Sequence, residues 1–434
     1  MKKVLVIGCA RSGYWVSLLL NKNGYDVTIT DIKPIENKAE LQALGITVFD
    51  GGHPTELKND LWHFVVKNPG IPYHTSFVTY FVKKGIKIYS EIEIALRYAP
   101  EFIYGAITGT NGKTTTTTLL YLILQREHLA FASGNIGTPL SETVYQHGDQ
   151  SADIALEISA FQLVGAPSFH PLVSAIVNLT PDHLDYFASL DDYYQAKTLV
   201  YRNQIGDDWF LRNIDDNNVM THCRNINCKI IDFSLEKKAD LMLDDGWVKL
   251  FSDKLFMVSD LQVVGKHNLQ NAMIAAAMAY KMGVSFKTIR TVIKKFTGIE
   301  HRIEYVSTIN GVKYYNDSKG TNVDSTLTAL KAFTQPVILI AGGYDKHTGF
   351  KELDAFKDRI KTLIVYGATK MELANLKEDA IICDNLQEAT QKAHNLAIEN
   401  DIVLFSPACA SYDQFNNFEE RGKIFKDIIH SFSI

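Results

Sequence analysis

The sequence predicts an α/β protein built from three domains. Short apolar strand segments alternate with helical patterns almost from end to end, the arrangement that buries mostly parallel sheets between helices. The length of 434 residues, at roughly 150 residues per domain, gives about three domains. Two of the strand–turn–helix units carry glycine-rich turns, one opening at Gly8 and the other at Gly109.

The elements follow in order. The first strand is Val4-Leu5-Val6-Ile7, followed by Gly8 and a helical pattern through Leu18, Leu19 and Leu20. Asp26-Val27-Thr28-Ile29-Thr30-Asp31 reads as a second strand, and strand–helix units continue to about residue 92. A new start comes at Ile103 to Thr108, a strand running into a Gly-rich turn and a Thr-rich helix that needs tertiary packing to hold. Later strands of that block lie at 154–157 and 173–178, and helices near 268–282 and 285–296 close it. A third series begins after Gly298, with strands at 337–341, 363–366 and 402–405. The expected domains are therefore 1–92, 93–298 and 299–434. There is no internal repeat and no low-complexity linker.

Composition narrows the function. Apolar residues make up 46% and charged residues 21% of the chain, which excludes disorder, collagen-like repeats and a disulfide scaffold. With 44 Lys+Arg against 49 Asp+Glu the net charge is −5, so a general nucleic-acid binder is not expected. The five cysteines (Cys9, Cys223, Cys228, Cys383, Cys409) form no C-x-x-C pair, so neither a zinc site nor a disulfide framework is implied. A reducing cytoplasm is the expected setting. The apolar run after Lys3 stops at Ile7 and Arg11 follows, too short for a signal peptide. No stretch reaches the roughly 20 apolar residues of a membrane span, so no membrane insertion is expected.

Gly8-Cys9-Ala10-Arg11-Ser12-Gly13 stands where a dinucleotide fingerprint would lie, with Ala10 in place of the middle glycine. Asp31 follows about 20 residues later, where an acidic residue can hold a ribose hydroxyl. Lys33 can neutralise a phosphate or is an ordinary surface lysine. The two readings are a nucleotide-like diphosphate site and a tight turn with no ligand.

Thr108-Gly109-Thr110-Asn111-Gly112-Lys113-Thr114 is more specific. Its backbone N–H groups can cradle phosphates, Lys113 can reach the β/γ-phosphates and the Thr114 hydroxyl can meet Mg²⁺. Full Walker spacing would need glycine at Ile107, so this is a shortened variant.

Glu157 ends an apolar strand, where it is either a carboxylate pointing into the ligand crevice and suited to Mg²⁺ or a strand-terminal surface glutamate. Asp182-His183-Leu184-Asp185 likewise leaves a strand, and His183 is either a second metal ligand or structural. Lys197 by composition alone is a solvated helix lysine. Asn268 and Asn271 lie three apart on one helix face, able to contact a nucleotide or to cap a packed turn.

Together with Gly134-Asn135-Ile136-Gly137, Glu300-His301-Arg302, the stretch 316–322 and the run from Ser406 to Phe418, these motifs resemble the Mur ligases of peptidoglycan synthesis, in the right order across nearly the whole chain. Within that family the resemblance is to the D-glutamate-adding branch. It implies a Rossmann-like first domain, a central P-loop ATPase-type domain and a C-terminal Rossmann-like domain. It implies ATP, two Mg²⁺ ions, UDP-N-acetylmuramoyl-L-alanine and D-glutamate as cofactors and substrates, and a monomer.

Carried over by position, Ser12, Asp31, Lys33 and Asn135 would hold the UDP substrate. Gly109, Thr110, Asn111, Gly112, Lys113, Thr114 and Thr115, with Asn268, Asn271, Arg302 and Asp317, would hold ATP. Thr114, Glu157, His183 and a carbamylated Lys197 would bind metal, and Lys113, Glu157, His183 and Lys197 would form the catalytic set. Asp182, Lys319, Thr321, Lys346, Ser411 and Phe418 would receive D-glutamate. The implied reaction is ATP-dependent amide formation through an acyl phosphate. Folylpolyglutamate synthase, of the same superfamily, lacks the first unit. An NAD-dependent oxidoreductase would leave Lys113, Glu157 and Lys197 without a purpose.

Overall fold

The computed structural model describes residues 2–135, 137–181, 186–344 and 349–432. The chain forms two compact units, Met1–Val258 with Gln270–Val292, and Ser259–Leu269 with Ile293–Ile434.

The first unit contains two sheets. One is β1 (Lys3–Ile7), β2 (Asp26–Thr30), β3 (Thr47–Phe49), β4 (Phe64–Lys67) and β5 (Ile88–Tyr89), all parallel in the order β3-β2-β1-β4-β5. Val4 to Ile7 are fully buried, because the strand is covered on both faces and side chains alternate between them. Val4 and Val6 pack with Val16, Leu18 and Leu20 of the helix Arg11–Lys22. Leu5 and Ile7 pack with Phe77, Val78 and Phe81 of the helix Ser76–Lys83. The strand order reverses between β1 and β4, where a crevice opens beyond the strand ends in sheets of this kind.

The second sheet holds β6 (Phe102–Thr108), β7 (Ala130–Gly134), β8 (Ala152–Glu157), β9 (Val173–Ile176), β10 (Trp209–Asn213), β11 (Lys229–Ser234), β12 (Leu241–Asp244), β13 (Trp247–Leu250) and β14 (Asp253–Met257). Its order is β14-β13-β12-β11-β10-β9-β6-β8-β7. The part around β6 is parallel, pairing Ile107 with Glu157 and Thr108 with Ile176. The helix Lys113–Leu124 is threonine-rich but buries Leu119, Leu120, Ile123 and Leu124 completely, so packing supplies what propensity does not.

The second unit carries β15 (Glu304–Ile309), β16 (Val312–Asn316), β17 (Val337–Gly342), β18 (Ile360–Tyr366), β19 (Ile381–Ile382) and β20 (Ile402–Phe405), in the order β15-β16-β20-β17-β18-β19. Two antiparallel ribbons depart from the parallel plan: β12–β13–β14 in the first unit and β15–β16 in the second. Both β12–β13 and β15–β16 turn on two residues with positive φ, Asp245-Gly246 (48° and 72°) and Asn310-Gly311 (50° and 77°). Asp-Gly and Asn-Gly are the pairs that such hairpins select.

Candidate active site

In the first sheet the glycine loop is closed from below by Asp31, just past β2. Its Oδ2 accepts the Cys9 N–H at 2.6 Å and its Oδ1 accepts the Lys33 N–H at 2.9 Å. Asp31 therefore shapes the loop as well as standing beside it. On the other side Asn68, which follows β4, donates from Nδ2 to Ser12 Oγ at 3.2 Å. Ser12 and Asp31 are half-buried and Lys33 is exposed.

The phosphate-type loop in the second sheet is held by a neighbour that sequence reasoning passed over. Asn178, just past β9, accepts the Asn111 N–H on Oδ1 at 2.9 Å, returns Nδ2 to Asn111 O at 3.1 Å, and offers its carbonyl to Thr110 N at 3.0 Å. An asparagine two residues past a strand is the only trace of this clamp in the sequence. Gly112 sits at φ 83° as the N-cap of the helix that starts with Lys113, and Thr114 and Thr115 fall in its first turn. Helix N-termini favour anions through their first-turn backbone N–H groups and the helix dipole.

Two lysines converge on one carbonyl of this loop. Lys113 Nζ donates to Gly109 O at 3.0 Å and to Thr110 O at 2.9 Å. Lys197, from the helix Leu190–Thr198, donates to the same Gly109 O at 2.7 Å. Lys197 is only 2% exposed, with its ammonium 4.5 Å from the Tyr193 ring centre. It is not the solvated helix lysine that composition alone suggests.

Glu157 ends β8 and is 2% exposed. Asn135 donates from Nδ2 to its Oε1 at 2.9 Å, while Oε2 is buried with no hydrogen-bond partner among the described residues. A buried carboxylate oxygen left open beside a phosphate-type loop fits a hard cation, which takes oxygen ligands from carboxylates, hydroxyls and phosphates. Thr114 offers the hydroxyl. Asn271 is 2% exposed, next to Gly112. His183 and Asp182, expected at the metal and amino-acid sites, lie outside the described residues, as does Lys346.

In the second unit the described residues expected at the D-glutamate site, joined by Asp317 of the expected ATP set, gather at the ends of β16 and β20. Asp317 is 3% exposed; its Oδ2 accepts from Ser406 Oγ at 2.6 Å and its Oδ1 from Ile303 N at 3.2 Å. Burial pushes its carboxyl up to about 7, against the pull of those two hydrogen bonds. Lys319 is exposed, its N–H bonded to His301 O and its ammonium 5.7 Å from the Phe418 ring centre. Thr321 donates its N–H to Lys319 O at 2.8 Å. Ser411 is buried, and its carbonyl caps the turn at Gln414 and Phe415. Arg302 is exposed, and Asn268 donates to Val264 O at 2.7 Å.

Comparison with known proteins decides the family. The Mur ligase middle domain matches residues 107–279, and the Mur ligase glutamate ligase domain matches 301–409. The UDP-N-acetylmuramoylalanine–D-glutamate ligase of Bacillus cereus (strain G9842) is 42% identical over 441 residues, covering 99% of this chain and 97% of that protein. The chain belongs to the Mur ligase family. The ligase of the same name from Geobacillus sp. (strain WCH70) is 40% identical, with the same coverage. Among solved structures, UDP-N-acetylmuramate-alanine ligase from Thermotoga maritima shares the fold, with a TM-score of 0.56 at 18% identity over 99% of both chains.

In this Mur ligase the structure brings the predicted residues together in three groups, one per sheet. Ser12 and Asp31 meet at the first glycine loop; Gly109–Thr115, Glu157, Lys197 and Asn135 meet at β6–β8; Asp317, Lys319, Thr321, Ser411 and Phe418 meet at the ends of β16 and β20. A residue absent from the predicted set organises the third group. Arg421 is fully buried and donates to Ser318 Oγ, Ser318 O, Cys409 O and Ala410 O at 2.8–3.1 Å. It ties the loop of Asp317 and Lys319 to the loop of Ser411. Its place three residues into a helix gives no sequence signal beyond an arginine among acidic neighbours.

Proposed function

We propose that this Mur ligase joins D-glutamate to UDP-N-acetylmuramoyl-L-alanine in peptidoglycan precursor synthesis, with ATP as the driving substrate. The observation that carries this reading is 42% identity across 99% of the chain to a ligase of that specificity. An alanyl carboxylate oxygen attacks the γ-phosphorus of ATP, the bond to the bridging oxygen breaks, and ADP leaves with that electron pair. The amine of D-glutamate then attacks the acyl carbon, phosphate departs, and the amine proton goes to solvent or phosphate.

Segments 1–92, 93–298 and 299–434 divide the work in this proposal. Ser12, Asp31, Lys33 and Asn135 hold the UDP substrate. The loop Gly109–Thr115, with Asn268, Asn271, Arg302 and Asp317, holds ATP, and Lys113 turns from Gly109 O and Thr110 O to the phosphates. Lys319, Thr321, Ser411 and Phe418, with Asp182 and Lys346, receive D-glutamate, the lysines meeting its carboxylates. Thr114, Glu157, His183 and a carbamylated Lys197 would hold Mg²⁺. Bound there, two such ions would offset charge on the transferring phosphoryl group.

Lys197 fits carbamylation chemically. A carbamate nitrogen keeps one N–H, so the bond to Gly109 O survives, while a cation becomes an anionic oxygen ligand. Both ATP and a UDP-linked sugar are cytoplasmic metabolites, so the reaction belongs in the cytoplasm, and one chain carries all three groups, as a monomer requires. Among the described residues no helix is long and apolar enough to cross a membrane.

The test is phosphate release from ATP and UDP-N-acetylmuramoyl-L-alanine, run separately with D-glutamate, L-glutamate and meso-diaminopimelate. D-glutamate is expected to support the fastest turnover. A different best partner overturns the specific assignment and spares the ligase class.

A further inference from the structure

We propose that Lys67 is a positioning residue of the ligation reaction, fastening Tyr186 to the end of β4 and so holding the first glycine loop in register with the Glu157 site. Lys67 is the last residue of β4, paired with Ile7 of β1 where the strand order reverses. It is 2% exposed, and all three ammonium N–H groups are used: Asn68 O at 3.1 Å, Ile71 O at 2.6 Å and Tyr186 Oη at 3.0 Å. The Tyr186 hydroxyl in turn donates to Ile71 O at 3.2 Å. The ammonium also lies 4.6 Å from the Tyr73 ring centre and 5.6 Å from that of Tyr186.

Among the described residues no carboxylate pairs with this charge. Burying an ammonium without an anion is costly, and here it pulls the group down to about 8. A methionine would fill the same space at lower cost. What the ammonium adds is direction, because three donors meet three acceptors on two different parts of the chain.

Those parts lead to two substrate sites. Asn68, the next residue, bonds Ser12 at the first glycine loop. Tyr186 packs its ring, tilted by 49°, 4.2 Å from that of Phe161, on the helix Ala160–Val164 that begins three residues after Glu157. Lys67 thus stands between the loop proposed for the UDP end and the carboxylate proposed for the metal, and touches neither. In the proposed function, which this inference rests on, a carboxylate must reach the γ-phosphate in line, and a displacement of about 1 Å can cost about 10²-fold in rate.

The test uses the full-length enzyme with Lys67→Met, Tyr186→Phe and the double variant. Expected is a fall in kcat of at least tenfold in each single variant, with KM for ATP and for D-glutamate changed less than twofold. The double variant should be no worse than the poorer single, since both break one link. Amide exchange in the peptide containing Tyr186 and Phe187 should quicken in Lys67→Met. An unchanged kcat in folded Tyr186→Phe, or a double-variant loss equal to the product of the singles, overturns the proposal. If Lys67→Met does not fold, Tyr186→Phe decides by the same kcat criterion, since it keeps the ring. If the wild type turns over none of the named substrates, the ligase reading fails. Exchange then still decides the link: faster in Lys67→Met supports it, unchanged overturns it.

Discussion

Asn135 Nδ2 donates to Glu157 Oε1 at 2.9 Å, and this bond sets which oxygen of the carboxylate stays open. With Oε1 occupied and Oε2 buried without a hydrogen-bond partner among the described residues, Glu157 presents one oxygen in a fixed direction. Groups that orient a metal ligand in this way typically hold about 10–100-fold in metal affinity. Asn135→Ala is therefore expected to raise the Mg²⁺ concentration for half-maximal activity by about tenfold, read from Mg²⁺ titrations at saturating ATP. An unchanged titration with a raised KM for the UDP substrate would mean that Asn135 serves the substrate alone.

The shared carbonyl of Gly109 gives the second prediction. Lys113 and Lys197 both donate to it, yet they are expected to respond differently to arginine. Arginine keeps the charge but does not deprotonate in proteins, so it cannot take up CO₂. Lys197→Arg is expected to lose at least 100-fold in kcat, on the order of one transition-state charge interaction. Enzyme in ¹³C-bicarbonate should show a carbamate carbon by NMR that disappears in Lys197→Arg. Full activity in Lys197→Arg would end the carbamate proposal.

What was legible in the sequence and what was not divides along physical lines. Buried parallel strands such as Val4–Ile7 announce themselves, because covering both faces demands an unbroken apolar run. Phosphate-type loops announce themselves through Gly112-Lys113-Thr114. Antiparallel ribbons did not, although Asp245-Gly246 and Asn310-Gly311 mark them, since a four-residue strand such as Leu241–Asp244, with a single buried residue, gives too short an apolar run to stand out. Nor did residues whose partners are brought near by topology: Asn178 and Arg421 bind distant backbone groups, and Lys67 binds the Tyr186 hydroxyl. Lys67 has no spacing rule to Tyr186, because the two meet only once β4 and the segment after 185 are in place.

Gly112 offers a local test of the phosphate-type loop. At φ 83° a side chain is strained, and a Cβ there would stand 2.5 Å from Asn271 Oδ1 and 3.1 Å from Val177 Cγ1. Asn271 is buried, so its side-chain amide must shift to admit the Cβ. Gly112→Ala is expected to raise KM for ATP at least tenfold, with a lower thermal midpoint. ATP titration by calorimetry checks it, and wild-type affinity would show that the loop relaxes around a Cβ.

Glu91 sets a pH dependence of stability. It opens the helix Glu91–Leu96, is 2% exposed, and accepts the Ser141 N–H on Oε2 at 2.8 Å at the start of the helix Leu140–His147. Its Oε1 is buried with no partner among the described residues. Burial pushes its carboxyl from 4.5 up to about 7, more than the hydrogen bonds from Ser141 and Leu140 pull it down. Between those two values the folded protein keeps a proton that the unfolded chain has lost. Stability from this group is therefore present below the unfolded value, declines as pH rises from 4.5 to about 7, and is absent above. Glu91→Gln keeps an acceptor for Ser141 without the charge. Its thermal midpoint is expected to exceed that of the wild type by several degrees at pH 8 and by little at pH 5, since each kcal/mol is worth about 2–4 °C in domains of this size. Calorimetric scans of both proteins at the two pH values check it. Asp317, raised in the same direction in the second unit, is common to both proteins and cancels in the difference. An equal gain at both pH values would mean that the substitution acts through packing and not through the carboxyl proton.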